Sequence, residues 1–284
     1  MANLKEIRNR IASVSSTMQI TSAMKMVSAA KLKKAQDAIT AMRPYSDKLT
    51  ELLQNLSATL DSDSGSKFSE QRDVKNVLIV AITSNRGLCG AFNSNIIKQA
   101  TAAASSYDAK VSIVAIGKKA NDALSKNFDV ISNQSAVFDD LTFDNVAAIA
   151  EMLMEQFESK AFDKIEVIYN KFKNAATQEI MTEQFLPIEP LEGDTNTNLD
   201  YIFEPSKEEI VETLIPKSLK TQLYKSIRDS FASEHGARMT AMHKATDNAT
   251  ELRDQLKLTY NKARQASITN EILEIVGGAE ALNG

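Results

Sequence analysis

The sequence predicts an α/β domain inserted between two long helices that pair as an antiparallel, left-handed coiled coil. Three observations predict it. Glycine and proline are scarce, 9 and 5 in 284 residues, so helices can run far without a breaker. Apolar residues at both ends of the chain recur in alternating steps of three and four, the heptad period of a coiled coil. Between those ends, β-branched runs alternate with helical stretches, as in a mainly parallel sheet covered on both faces. The expected divisions are a helix over 1–60, a Rossmann-like α/β domain with flanking loops over 61–205, and a second helix over 206–284.

The first helix carries Leu4, Ile7, Ile11, Val14 and Met18 on its seam, then Leu32, Ala35, Ile39 and Met42, then Leu49, Leu53, Leu56 and Leu60. At ~1.5 Å per residue it spans roughly 85 Å, more than the width of a compact domain. Thr21, Lys25 and Ser28 hold the seam positions in between, and Met24-Lys25-Met26 falls in that lapse. This marks a surface facing something other than the partner helix. The polar run 61–72 reads as a loop. Val74–Thr83 then reads as a buried strand, followed by a glycine turn and a helix over 93–104. Val111–Gly117 is a second strand with a helical segment to Leu124 behind it. A helix over about 144–158, a strand over Lys164–Phe172 and an edge strand over Gln178–Phe185 complete the domain. Ser206 and Glu209 form a capping box that opens the last helix, roughly 110 Å long by the same rise. Its heptads are read as Ala245, Ala249, Leu252, Leu256, Thr259, Ala263 and Ala266.

Charge and composition exclude several classes. Net charge is −4, which argues against a uniformly basic nucleic-acid binder. The charge is uneven: nine bases stand against three acids up to Lys48, whereas residues 49–205 carry 13 bases and 23 acids. No apolar run approaches the roughly 20 residues of a bilayer span. One cysteine, Cys89, excludes an intrachain disulfide and a multi-cysteine zinc site. The two histidines, His235 and His243, stand about two turns apart, too far for a metal pair on adjacent turns. No metal, cofactor or catalytic residue is expected. The basic N-terminus has the flavour of a transit peptide, but the heptads run far past any cleavage point, and an unprocessed, cytosol-facing chain is expected.

Two local features carry functional weight. Ser84–Asn93 is a glycine turn directly after a strand and opening a helix. Such a turn either cradles a phosphate or makes a tight strand-to-helix connection. It fits neither nucleotide motif, which favours the second. At the other end, Ile268, Ile272, Leu273, Ile275, Val276, Ala279 and Leu282 point to nearly every side of a helix. A helix apolar all round is buried, so this tip either folds back on its own coil or enters a sleeve made by another protein. Arg264, Gln265, Thr269 and Glu271 add groups for charged hydrogen bonds to such a sleeve.

Ile20–Val27 resembles the N-terminal helix signature of the γ subunits of F-type ATP synthases. Ser84–Asn93 resembles their glycine turn, and Tyr260–Glu271 with Val276–Ala279 resembles their C-terminal signature. The resemblance spans the chain in order. It implies a non-catalytic rotor whose paired helices turn inside a ring of three α and three β subunits. The α/β domain would form the foot, with the ε subunit, on the membrane ring of c subunits. The place implied is the cytoplasmic face of a bacterial inner membrane, the chain bound peripherally and touching no nucleic acid.

By the same resemblance, Arg264 and Gln265 would form an upper catch on a β-subunit loop, supported by Thr269 and Glu271. Met24, Lys25 and Met26 would meet the acidic lower part of β. Ile268, Ile272, Leu273, Ile275, Val276 and Leu282 would seat in the sleeve. Tyr201, Phe203 and Glu204 would belong to the foot. Asn85 stands where an acidic residue is common in that family. The competing reading is a coiled-coil adaptor whose α/β domain binds a ligand or partner.

Overall fold

The computed structural model describes residues 4–57, 67–188 and 207–283. Its two long helices are α1, Leu4–Ser57, and α5, Lys207–Asn283, of 54 and 77 residues. Pro44 and Pro216 lie within them and end neither. The helices carry little one-sided amphipathicity averaged over their length, as expected where different faces are buried along one helix. The chain divides into two compact units: Met1–Ser28 with Met239–Gly284, and Ala29–Arg238. The capping-box residue Ser206 lies outside the described residues.

The first unit is an antiparallel helix pair. On α1 every seam residue from Leu4 to Ser28, in steps of three and four, is buried or half-buried. Thr21 and Ser28 are buried although polar, so the seam does not lapse; it becomes a polar layer. Thr21 Oγ1 and Thr246 Oγ1 share a 2.8 Å hydrogen bond across the pair, and Ser28 Oγ donates back to Met24 O at 2.8 Å. Serine and threonine can return their hydroxyls to the preceding turn in this way, which spares the helix an unpaired buried oxygen.

On α5 the residues facing α1 are Met242, Thr246, Ala249, Arg253, Leu256, Tyr260, Ala263 and Ser267. This corrects the sequence reading at alternate positions: Leu252 is 41% exposed, and Thr259 and Ala266 are also exposed. The apolar pattern alone passes over Arg253 and Tyr260, whose stems pack while their polar ends find partners. Arg253 Nη1 points at Met18 Sδ at 3.5 Å, and Arg8 Nη2 donates to Tyr260 Oη at 2.8 Å. Arg8 meets Tyr260 and Lys25 meets His243. Carried toward the N-terminus, that register sets Leu4 level with Arg264.

The second unit is a three-layer α/β sandwich. Strands β1 (Asn76–Ile82), β2 (Lys110–Ile116), β3 (Asp129–Asn133), β4 (Lys164–Phe172) and β5 (Gln178–Leu186) form one sheet in the order β3-β2-β1-β4-β5. All neighbours are parallel except β4 and β5. β3 is absent from the sequence reading because it is short and alternates exposed with half-buried residues. Helices α2 (Phe92–Ser106) and α3 (Lys118–Leu124) cover one face through Ile96, Ala100, Ala120 and Leu124. Helix α4 (Phe143–Glu158) covers the other, alongside Ile215, Leu219, Leu223 and Ile227 of α5. Each fully buried aliphatic side chain of this kind contributes about 1.5–3 kcal/mol relative to exposure. The long C-terminal helix is therefore a structural layer of the domain as well as a coil partner.

Candidate functional site

The residues singled out by sequence fall in three places. The first is the end of α5. By the observed register α5 runs past the start of α1, and every residue from Ile268 to Ala281 is exposed. Ile268, Ile272, Leu273, Ile275 and Val276 expose between 47% and 71% of their surface. The tip does not fold back on its own coil. Arg264, Gln265, Thr269 and Glu271 are exposed on the same stretch, Gln265 and Thr269 one turn apart. The Leu282 side chain lies outside the described residues, as do Tyr201, Phe203 and Glu204.

The second place is the polar layer of α1. Met24 and Lys25 are half-buried, and Met26 is 65% exposed on the side away from α5. Ile20 and Val27 are exposed as well. The three residues share one turn but point to different sides. Lys25 sits level with His243, 21 residues short of Arg264 along α5, so the two candidate contacts are roughly 30 Å apart at ~1.5 Å per residue. They are separate surfaces.

The third is the glycine turn, and here the structure adds residues that sequence reasoning did not single out for this role. In an open parallel sheet a ligand sits at the carboxyl ends of the strands, where the strand order reverses. In this sheet that point lies between β1 and β4, and α5 fills it. Arg238 is buried there. Its Nη1 donates to Glu234 Oε1 at 2.6 Å, and its Nη2 donates to Arg86 O at 3.1 Å and Gly87 O at 3.3 Å. Gly236 lies against the turn after β4; a Cβ there would stand 3.2 Å from both Cα and O of Ala175.

Two of the turn's donors, at its ends, are used internally. Ser84 N donates to Asn93 Oδ1 at 2.9 Å, and Phe92 N to Cys89 O at 3.3 Å. Gly90 has φ +60 and Leu88 φ +62, and Leu88 is held out into solvent. Asn85 accepts from Lys118 N through Oδ1 and donates to Ser135 O through Nδ2, both at 3.0 Å. A carboxylate in its place could make only the first of these bonds. The turn is thus a clasp for α5.

The clasp is electrostatically tense. Burial pushes the Glu234 carboxyl up, against the pull of Arg238. His235, 5% exposed, packs edge-on to Phe231 at 4.5 Å. Burial, then Arg238 and Lys31, lower its pKa to about 3, so the ring is neutral. Burial raises the Cys89 thiol, which accepts from Asn93 Nδ2 at 3.2 Å, and leaves it protonated at neutral pH. A protonated, buried thiol is a poor nucleophile. The only sequence cue to the clasp was charge and polarity on an otherwise buried stretch of α5, and it named no partner.

Comparison with known proteins agrees with these features. A family model described as ATP synthase matches residues 3–282. The ATP synthase gamma chain of Flavobacterium psychrophilum is 77% identical, covering 100% of both chains. A chain from the central stalk and c-ring of Tetrahymena thermophila mitochondrial ATP synthase aligns with a TM-score of 0.60 at 26% identity, over 80% of this chain and 99% of its own. A chain from the Euglena gracilis mitochondrial ATP synthase, in a structure of its OSCP, F1 and c-ring parts, shares the fold, with a TM-score of 0.70 at 22% identity over 98% of this chain and 94% of its own. A family match over nearly all of the sequence, with full-length identity to a gamma chain, leaves one conclusion: the chain belongs to the ATP synthase gamma chain family.

Proposed function

We propose that this chain is the central rotary shaft of an F-type ATP synthase. It would transmit ion-driven rotation of a membrane c-ring to the catalytic β subunits, cycling them through ATP synthesis or hydrolysis. The shaft itself is non-catalytic in this reading. Its partners are three α and three β subunits, an ε subunit and the c-ring. Its place is the cytoplasmic face of the bacterial inner membrane, held peripherally; no described helix is long and apolar enough to cross a membrane.

The observation that carries the reading is the end of α5, which outruns its coil partner and exposes Ile268, Ile272, Leu273, Ile275 and Val276. Burying each half-exposed Ile, Leu or Val there is favourable by roughly 1 kcal/mol, so a closed sleeve is strongly preferred to water. Arg264, Gln265, Thr269 and Glu271 then supply the upper catch. Met24, Lys25 and Met26 supply the lower contact, where a basic helix meets acidic loops of β. Tyr201, Phe203 and Glu204 are assigned to the foot.

Co-expression with the host's α and β subunits tests this, comparing the full chain with one ending at Ser267. That truncation removes the unpartnered tip and leaves the coil intact. An ATPase-active assembly with one copy per three αβ pairs, weakened by the truncation, is expected. A chain that stays soluble and monomeric beside its would-be partners would favour an adaptor.

A further inference from the structure

His243 lies on α5 beside the polar layer of the helix pair. Lys25, reaching across from α1, places Nζ 3.4 Å from His243 Nδ1. Asp247, one turn further along α5, places Oδ2 3.3 Å from the same nitrogen. A single ring nitrogen therefore faces a cation from one helix and an anion from its own. Lys25 on α1 and Asp247 on α5 are the charged groups seen in contact with the ring.

The two contacts need opposite protonation states. An ammonium only donates and a carboxylate only accepts. Unprotonated Nδ1 can accept from Lys25 but has nothing to offer Asp247. Protonated Nδ1 donates to Asp247, and the imidazolium repels Lys25. Beside the ring in the seam lie the hydroxyls of Thr21 and Thr246, hydrogen-bonded to each other, and the buried Met242 side chain.

We propose that His243 is a proton-driven switch in the helix pair: the neutral ring ties α5 to α1 through Lys25, and the protonated ring turns to Asp247 and frees the Lys25 ammonium. The swap is a property of the chain itself. Its use, an ammonium offered to a partner's carboxylate only in the protonated state, rests on the lower contact proposed above.

Lysine acetylation of the full chain, read by mass spectrometry, tests the swap directly. Lys33 and Lys34, exposed on the same helix, serve as references. The ratio of Lys25 labelling to theirs should rise about twofold or more from about pH 8 to about pH 6. It should stay flat in His243→Gln and rise less in Asp247→Asn. A constant wild-type ratio, or an unchanged rise in His243→Gln, overturns the proposal. Should either variant lose helix by circular dichroism, nitrogen NMR of wild-type histidine replaces it: an Nδ1 resonance indifferent to Lys25→Met is the contrary result. Both readings use the unassembled chain, so their failure is distinct from a failure to assemble.

Discussion

Arg238→Ala removes the centre of the clasp. The side chain is buried, paired with an equally buried Glu234 at 2.6 Å, and donates to the carbonyls of Arg86 and Gly87. Stripping one partner from a buried ion pair costs about 3–5 kcal/mol, chiefly because the other charge is left without compensation. Glu234 has an escape: its carboxyl is already pushed up by burial and can take a proton. That sets the expected loss near the lower limit, about 3 kcal/mol at neutral pH. It should shrink as pH falls and protonation becomes easier. Amide hydrogen exchange over residues 84–93 is the direct assay, since the clasp holds that turn. A loss of about 3 kcal/mol corresponds to roughly a hundredfold faster exchange there. The double variant Glu234→Gln/Arg238→Met leaves no buried charge and should recover most of the protection. Exchange within about threefold of wild type in the single variant, or a double variant no better than the single, would mean that the ion pair does not hold the turn.

His235 makes stability depend on pH. The folded chain lowers its pKa to about 3, whereas an unfolded imidazole protonates near 6.5. Its contribution is complete above about pH 6.5 and is lost as pH falls toward 3, at up to about 1.4 kcal/mol per pH unit. Urea titrations at pH 7, 5.5 and 4 should show His235→Gln losing less stability on acidification than wild type. Gly117→Ala should cost at least about 3 kcal/mol in the α/β unit, because φ is +116 and a Cβ would overlap the Thr83 carbonyl; thermal unfolding reads this. Replacing both threonines of the polar layer, Thr21→Val with Thr246→Val, should be neutral or stabilise the helix pair by up to about 1 kcal/mol, since neither hydroxyl is left without its partner. Either single replacement should lie within about 1 kcal/mol of wild type in the same denaturation assay, because the remaining hydroxyl still donates to its own helix, Thr21 to Met18 O or Thr246 to Met242 O.

The sequence spoke clearly where one physical rule acted alone. Steps of three and four along Leu4 to Met18 could mean only a coiled coil, and the β-branched runs of β1, β2 and β4 only a buried sheet. The tip was legible for a similar reason, since five of the nine residues Ile268–Val276 are large aliphatics. Where rules competed, the pattern misled. The apolar pattern passed over Arg253 and Tyr260 because their ends are polar, yet their stems fill the seam. Thr21 and Ser28 looked like a lapse because a hydroxyl's return bond to the helix backbone leaves no trace in hydropathy. The clasp was illegible because Arg238 and Gly87 are about 150 residues apart, and nothing local in either announces the other.

Rotation is what a shaft does that an adaptor does not. In the chain assembled with α and β subunits and fixed by its head, a probe can be attached at Ser125→Cys, on an exposed turn of the α/β unit. Cys89 is buried and protonated and should not compete for the label. ATP should drive the probe in one direction, with one step for each β subunit in every turn, and removing the residues after Ser267 should weaken the torque. An active, ATP-hydrolysing assembly whose probe only fluctuates about a fixed angle would contradict a rotary role.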